Sequence, residues 1–413
     1  MAGAHTKTAG GALAPTAAAA PVKTRFLGVD VARGVALISM LAANLFEVVR
    51  DDGTPTLAGM TVSGRSATMF VMIAGISLAF ISGGRRPVQG TARRAARANI
   101  AVRALLIALI GLALGYQNSL GVILSYYGLY FLLAIPLIGL RPRTLLGLAG
   151  VLVVVAPLIL LASGSLGWES GFDANPTLST PFTNPLGLLS LLLVTGDYPA
   201  VVYMAYICVG MAIGRLDLSS AKVAVRLLAG GLALAVVTWL VSWLLVERLG
   251  GLQALLAAGA GETPGEVIWD TSLVPSWWWL ATRAPHSGTP LDMLHTLGSA
   301  IAVLGLVLLV CRLRAAQRLL RPVALAGAMT LTVYSAHAFV LLSPWSDDHP
   351  LALYLLLVAG ALVFAVLWNR WMGQGPLERL VGIPADRARQ AVLARGQAQE
   401  APRPDRRPSE KRT

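Results

Sequence analysis

The sequence is short of charge. Asp, Glu, Lys and Arg fill only 13% of its 413 positions, about half the ~25% usual for soluble domains. It is equally short of cysteine: Cys208 and Cys311 are the only two, and both lie in or at the end of apolar stretches. That excludes a disulfide framework and a cysteine-built metal cluster. There is no Walker loop, no HExxH and no CxxC, and no GxSxG in a strand-to-helix setting. A soluble nucleotide-hydrolysing engine is therefore unsupported. The first twenty-odd residues, MAGAHTKTAGGALAPTAAAAP, lack the Leu-rich core of a signal peptide, and residues 1–24 are expected to form a disordered cytoplasmic tail. Residues 382–413 are expected to be a basic, largely disordered cytoplasmic tail.

What the chain has in quantity is apolar runs. Mean hydropathy is +0.68, and stretches of helical length fall at 29–49, 64–82, 99–116, 119–138, 144–162, 199–214, 225–246, 292–311, 323–342 and 350–371. A helix satisfies its own backbone and needs only ~20 apolar residues to cross a bilayer. The expected fold is all-α: a polytopic transmembrane helix bundle of about ten spans, occupying residues 25–381, with both termini cytoplasmic. The segment 185–196 is apolar but short, which suits an interfacial or re-entrant piece.

Charge placement sets the orientation. With the amino terminus inside, the four inner loops carry Arg85, Arg86, Arg93, Arg94, Arg97, Arg141, Arg143, Arg215, Lys222, Arg312, Arg314, Arg318 and Arg321, against Arg50, Arg65, Arg248 and Arg283 outside. This is the positive-inside pattern of a multi-pass protein of the plasma (inner) membrane. The net charge of +13 is thus a topology signal and not a nucleic-acid groove, and the lipid bilayer is the expected partner. Two long outer connections, 163–198 and 247–291, are rich in Trp, Pro, Gly, Asp and Asn, as suits loops packed over the bundle mouth.

Ionisable groups inside spans are costly, which makes each a functional candidate. In the first span Asp30, Arg33, Asn44 and Glu47 fall within roughly a 100° arc at ~100° per residue, a polar seam from one end to the other. Asp30 and Arg33 are i,i+3 neighbours and can pair; a helix-start ion pair or an interhelical hydrogen bond would also account for these residues. His337 lies six residues before the outer end of its span, with Thr330 and Tyr334 on the same face, which puts it ~9 Å below the surface. Asp292 and His295, again i,i+3, could form the carboxylate–imidazole pair that orients a general base, or a surface ion pair of little worth. His286 sits in a Ser-Gly-Thr-Pro turn and is expected to be exposed.

The run VDVARGVALISMLAANL, followed by GMTVSGRSATMFVMIAGISLAF, resembles the bacterial YeiB-type membrane proteins. It is also similar to the membrane part of heparan-α-glucosaminide N-acetyltransferase. The resemblance rests on Asp30, Arg33 and Gly34, then Asn44, then Gly59, Phe70 and Gly75, and on PHSGTPL, TLTVYSAHAF and the terminal WNRWMGQGPLERLV. It spans residues 25 to about 381. What it implies is an acyltransferase that moves an acetyl group from a cytosolic acyl-CoA donor to a sugar or glycolipid on the outer side, with no metal. Asp30, Arg33 and Asn44 would contact the donor, and His337, His286, His295, Asp292 and Glu47 are the candidate catalytic groups. In the family a first-loop histidine carries the acetyl group; here Thr54 stands in its place and no histidine occurs in 50–65. The same polar seam is also compatible with a transporter or flippase for an envelope precursor.

Overall fold

A computed structural model describes residues 26–118, 120–168 and 174–400; the expected tail over 1–24 lies outside them. The twelve main helices are α1 (Leu27–Ala43), α2 (Arg65–Ile81), α3 (Gly90–Leu114), α4 (Leu124–Ala134), α5 (Pro142–Ser165), α6 (Ala200–Ile213), α7 (Ala221–Trp243), α8 (Pro290–Val310), α9 (Arg321–Gly327), α10 (Thr330–Val340), α11 (Pro350–Trp371) and α12 (Pro376–Glu400). Among the described residues there is no strand, only an isolated bridge between Val49 and Pro55.

Each of the ten apolar runs becomes helical, but not each becomes a straight crossing. Among the described residues six helices are long and apolar enough to cross a membrane, and up to eight if each of two bent pairs is one span. The bent pairs are Pro185–Thr195 with α6, at 58°, and α9 with α10, at 82°. The first absorbs the short 185–196 segment. The two runs left over are short: α1 has 17 residues, ~25 Å at 1.5 Å each, against a ~30 Å hydrocarbon core. The α4 run, Leu124–Gly139, ends in a tight 3-10 segment at Ile135–Gly139, where Pro136 stands. The chain is an all-helical, multi-pass membrane protein.

Small residues bring the central helices together, as in bilayers, where close backbone approach replaces a hydrophobic drive between helices. A Cβ built on Gly34 would lie 2.2 Å from the Val323 carbonyl oxygen, and one on Gly327 would lie 2.0 Å from that of Asp30. The Asp-x-x-Arg-Gly signature is therefore also the seat of the α1–α9 crossing. Helix α11, by contrast, shows its apolar residues outward: Leu355, Leu356 and Val363 are exposed, as befits a helix facing lipid.

The long connections fold onto the bundle. Asn175 accepts from the Val122 N–H at 2.8 Å and donates to the Leu120 carbonyl at 2.8 Å. Trp279 is buried, and the Ser242 hydroxyl donates to the Ala281 carbonyl at 2.8 Å. The expectation of a disordered tail from 382 is corrected over 382–400. Helix α12 continues to Glu400 and lies along α3, because Val381 and Ala385, one turn apart, form an apolar seam that is buried. Residues 401–413 lie outside the described residues.

Candidate functional site

The first-span seam is built, but in two halves. At the arginine-rich end, Arg33 donates to Asp30 at 3.0 Å, to the Ser77 hydroxyl at 2.9 Å and to the Gly327 carbonyl at 3.3 Å. One guanidinium fork thus ties α1 to α2 and to the break between α9 and α10. At the other end Asn44, the residue that ends α1, meets His337 of α10 at 3.0 Å, Nδ2 to Nε2. The other ring nitrogen, Nδ1, faces the Tyr334 carbonyl. A carbonyl only accepts, so Nδ1 carries the proton and Nε2 is the lone pair that the Asn44 amide caps. Glu47 is not part of the seam. The helix ends at Ala43, and Glu47 lies exposed in the loop beyond, because helical periodicity no longer applies once the chain turns.

Two cavities flank this seam. The first, about 420 Å³, is lined at its arginine-rich end by Arg33, Ser77, Arg103 and Glu378, and at its deep end by Met40, Ile123, Tyr127 and Tyr334. Arg103 is steadied by the Asn99 side chain at 2.9 Å, and Asn99 in turn donates to Asp386 of α12 at 3.0 Å. Glu378 caps the broken helix: it accepts the Thr332 N–H at 3.1 Å and the Thr332 hydroxyl. The second is an open groove of about 950 Å³, lined by Ala42, Leu45, Phe46, Glu47, Arg50, Ser346 and Tyr354 among others. Along α1, Met40 faces the first cavity and Ala42 and Leu45 the second. From α10 onward, Tyr334 faces the first and Ser346 the second. Asn44 is flanked by Ala42 and Leu45 of the groove, and the His337 ring packs on the Tyr334 ring of the first cavity at 5.0 Å between centroids, so the Asn44–His337 hydrogen bond joins a groove segment to a cavity wall.

The remaining candidates gather elsewhere. The expected Asp292–His295 pair does not form. Thr289 caps α8 by accepting the Asp292 N–H at 3.1 Å, and the Asp292 carboxylate turns back to accept the Gly288 N–H at 3.1 Å. A carboxylate used in this way to cap the helix start points away from the residue one turn ahead. His295 instead donates from Nδ1 to the Ala235 carbonyl at 2.9 Å and accepts at Nε2 from Arg65 at 3.0 Å. His286 is exposed as expected, in a left-handed turn with φ 63°, and approaches the Tyr203 hydroxyl at 3.4 Å. Nearby, Arg283 lies against the Trp269 ring at 4.7 Å, and burial pushes its guanidinium down to about 10.

Ser77 and Tyr127 escaped the sequence reading, since a lone serine or tyrosine in an apolar run carries no signal until its neighbours are known. Thr54, where the resemblance implies an acetyl-carrying histidine, is held in an exposed turn. Its hydroxyl donates to Asp52 at 2.6 Å and its N–H at 2.9 Å; both bonds hold the Asp52 carboxyl below its ordinary range. The donor group the resemblance implies finds a suitable lining in the first cavity: guanidinium groups at one end, hydroxyls and apolar walls further in. Among the described residues no three His, Cys, Asp or Glu side chains gather to hold a metal ion.

Residues 25–246 match the family described as heparan-alpha-glucosaminide N-acetyltransferase, catalytic, and residues 254–381 match a family described as a protein of unknown function, DUF418, the YeiB type. No curated protein matches the chain. The two matched segments share one site: Asn44 and Arg33 belong to the first, His337 and Glu378 to the second. With more than half of its length matched, the chain belongs to the heparan-alpha-glucosaminide N-acetyltransferase catalytic family.

Proposed function

We propose that this chain is a membrane acyltransferase that takes an acyl group from a CoA-type donor on the cytoplasmic side and gives it to a sugar or glycolipid on the outer side. The observation that carries the reading is the Asn44–His337 hydrogen bond, which joins the segment whose Ala42 and Leu45 line the 950 Å³ groove to the helix whose Tyr334 lines the 420 Å³ cavity. The positive-inside charge pattern supports ten passages through the plasma membrane with both termini cytoplasmic, the bent pairs and the two short helices each counting as one. Residues 25–381 then act as one catalytic unit.

In this reading Arg33 and Arg103 face the anionic end of the donor, where fixed guanidinium donors suit phosphate oxygens. The apolar wall between them and Tyr334 takes the arm that leads to the thioester. His337 is the general base: Nε2 gives up its bond from the Asn44 amide and accepts the proton of the incoming hydroxyl or amine. With no histidine in the first loop, transfer is direct, from donor to acceptor, without an acetyl-enzyme on residue 54. The test is purified protein in lipid nanodiscs with radiolabelled acetyl-CoA and envelope sugar acceptors. The expected result is binding and consumption of the donor, with consumption abolished in His337→Ala. Failure of acetyl-CoA to bind at all would sink the proposal.

A second reading, transport or flipping of an envelope precursor, is favoured by the two broken helix pairs, since broken helices line many transport sites. Proton-coupled uptake into vesicles that is lost in Glu47→Gln would select it over the enzyme.

A further inference from the structure

We infer that the Tyr127 phenol is the hydrogen-bond donor to the acyl carbonyl of the thioester bound in the inner cavity. The inference rests on the reading above that this cavity takes an acyl thioester. Tyr127 is 8% exposed, and its Oη has no hydrogen-bond partner among the described residues. Its ring lies against Tyr130 at 5.6 Å and Phe131 at 6.1 Å, which fixes its direction. It lines the cavity at the deep end, together with Met40 and Tyr334.

Buried polar groups are nearly always hydrogen-bonded, so an unpartnered phenol on the wall of a cavity marks the place of a ligand acceptor atom. Of the other polar groups on this wall, Ser77 is engaged as both donor and acceptor, and Tyr334 as an acceptor. The Tyr334 hydroxyl accepts the Ile123 N–H at 3.3 Å, and Ser77 accepts from Arg33 and donates to the Ile73 carbonyl. A carbonyl oxygen arriving here needs only the one donor that the Tyr127 hydroxyl offers. The Tyr334 ring packs on the His337 ring at 5.0 Å between centroids, which puts this end of the cavity beside the proposed base.

The chemistry balances. The acceptor's oxygen or nitrogen adds to the carbonyl carbon, and the carbonyl electron pair moves onto the oxygen, which Tyr127 holds without giving up its proton. Collapse breaks the carbon–sulfur bond and releases the thiolate. The acceptor's proton passes to His337 Nε2 and then to the sulfur.

The test is calorimetric titration of nanodisc-embedded protein with acetyl-CoA, CoA and S-ethyl-CoA, a thioether without the carbonyl. Wild type is expected to bind acetyl-CoA about tenfold tighter than S-ethyl-CoA, the scale of one good hydrogen bond. Tyr127→Phe should erase that preference and leave the affinities for CoA and S-ethyl-CoA unchanged. An unchanged preference, or an equal loss for all three ligands, overturns the inference. If wild type binds none of the three, it is the donor reading itself that fails.

Discussion

Two buried histidines in this bundle have nearly the same surroundings and opposite prospects. Both His337 and His295 fix Nδ1 on a backbone carbonyl, so both present Nε2 as the lone pair. At His337 that lone pair meets the amide of Asn44; at His295 it meets the guanidinium of Arg65. A neutral amide leaves a bond of ordinary strength that an incoming nucleophile can replace. A guanidinium holds on by a charge-assisted bond and opposes any proton gained by the ring. The difference teaches that a buried imidazole is read as base or as brace from the partner of its free nitrogen.

The largest expected effect separates the two directly. His337→Ala should lower turnover by ~10²–10⁴-fold, the usual worth of a general base, while donor binding persists. His295→Ala should instead lower stability, by about 1–3 kcal/mol, because Arg65 loses a partner in a buried setting. Turnover per folded molecule should survive. Parallel assays of activity and thermal unfolding decide, and a reversed pattern would exchange the roles assigned here.

The next effects concern the signature around Arg33. Gly34→Val places carbon against the Val323 carbonyl and should cost about 3 kcal/mol, seen as a lowered unfolding midpoint. Arg33→Met should weaken donor binding by about 10- to 100-fold, since hydrogen bonds to a charged group are worth ~1.5–3 kcal/mol. Arg215 is the control. It is buried on the Ile138 and Gly84 carbonyls and lies outside both cavities. Its loss should move the melting curve and leave the donor affinity of folded protein unchanged.

The residues that were legible in the sequence were those whose chemistry is improbable in lipid. Asp30, Arg33, Asn44 and His337 stand out in apolar runs because burying them costs free energy, and they are the groups that join helices here. Their partners were not legible. Asn44 and His337 are 293 positions apart, and no periodicity reports a contact between helices. Periodicity also fails where a helix ends or begins: it carries Glu47 round a turn past Ala43, and it points Asp292 forward to His295 although that carboxylate serves the helix start behind it. Length misled at α9 and α10. Their joint run is long enough for a straight span, but the 82° bend at Ala328 and Met329 puts the start of α10 on the cavity wall.

The smallest expected effect tests whether the loop residue or the Asn44–His337 pair carries the chemistry. Restoring the family's residue by Thr54→His puts an imidazole on an exposed turn that Asp52, Arg50 and the Val49–Pro55 bridge hold in place. An exposed substitution of this kind changes stability by about 0.5 kcal/mol or less, and turnover should stay within about twofold of wild type because the Arg33 and His337 contacts are untouched. In the double variant with His337→Ala, the new imidazole should restore nothing, because residue 54 sits on an exposed turn whereas the His337 ring is buried against Tyr334 of the inner cavity wall. Rescue of the double variant, with an acetyl group found on residue 54 by mass spectrometry, would instead move the reacting centre out to the first loop. The comparison between His337 and His295 would then concern two braces and no base.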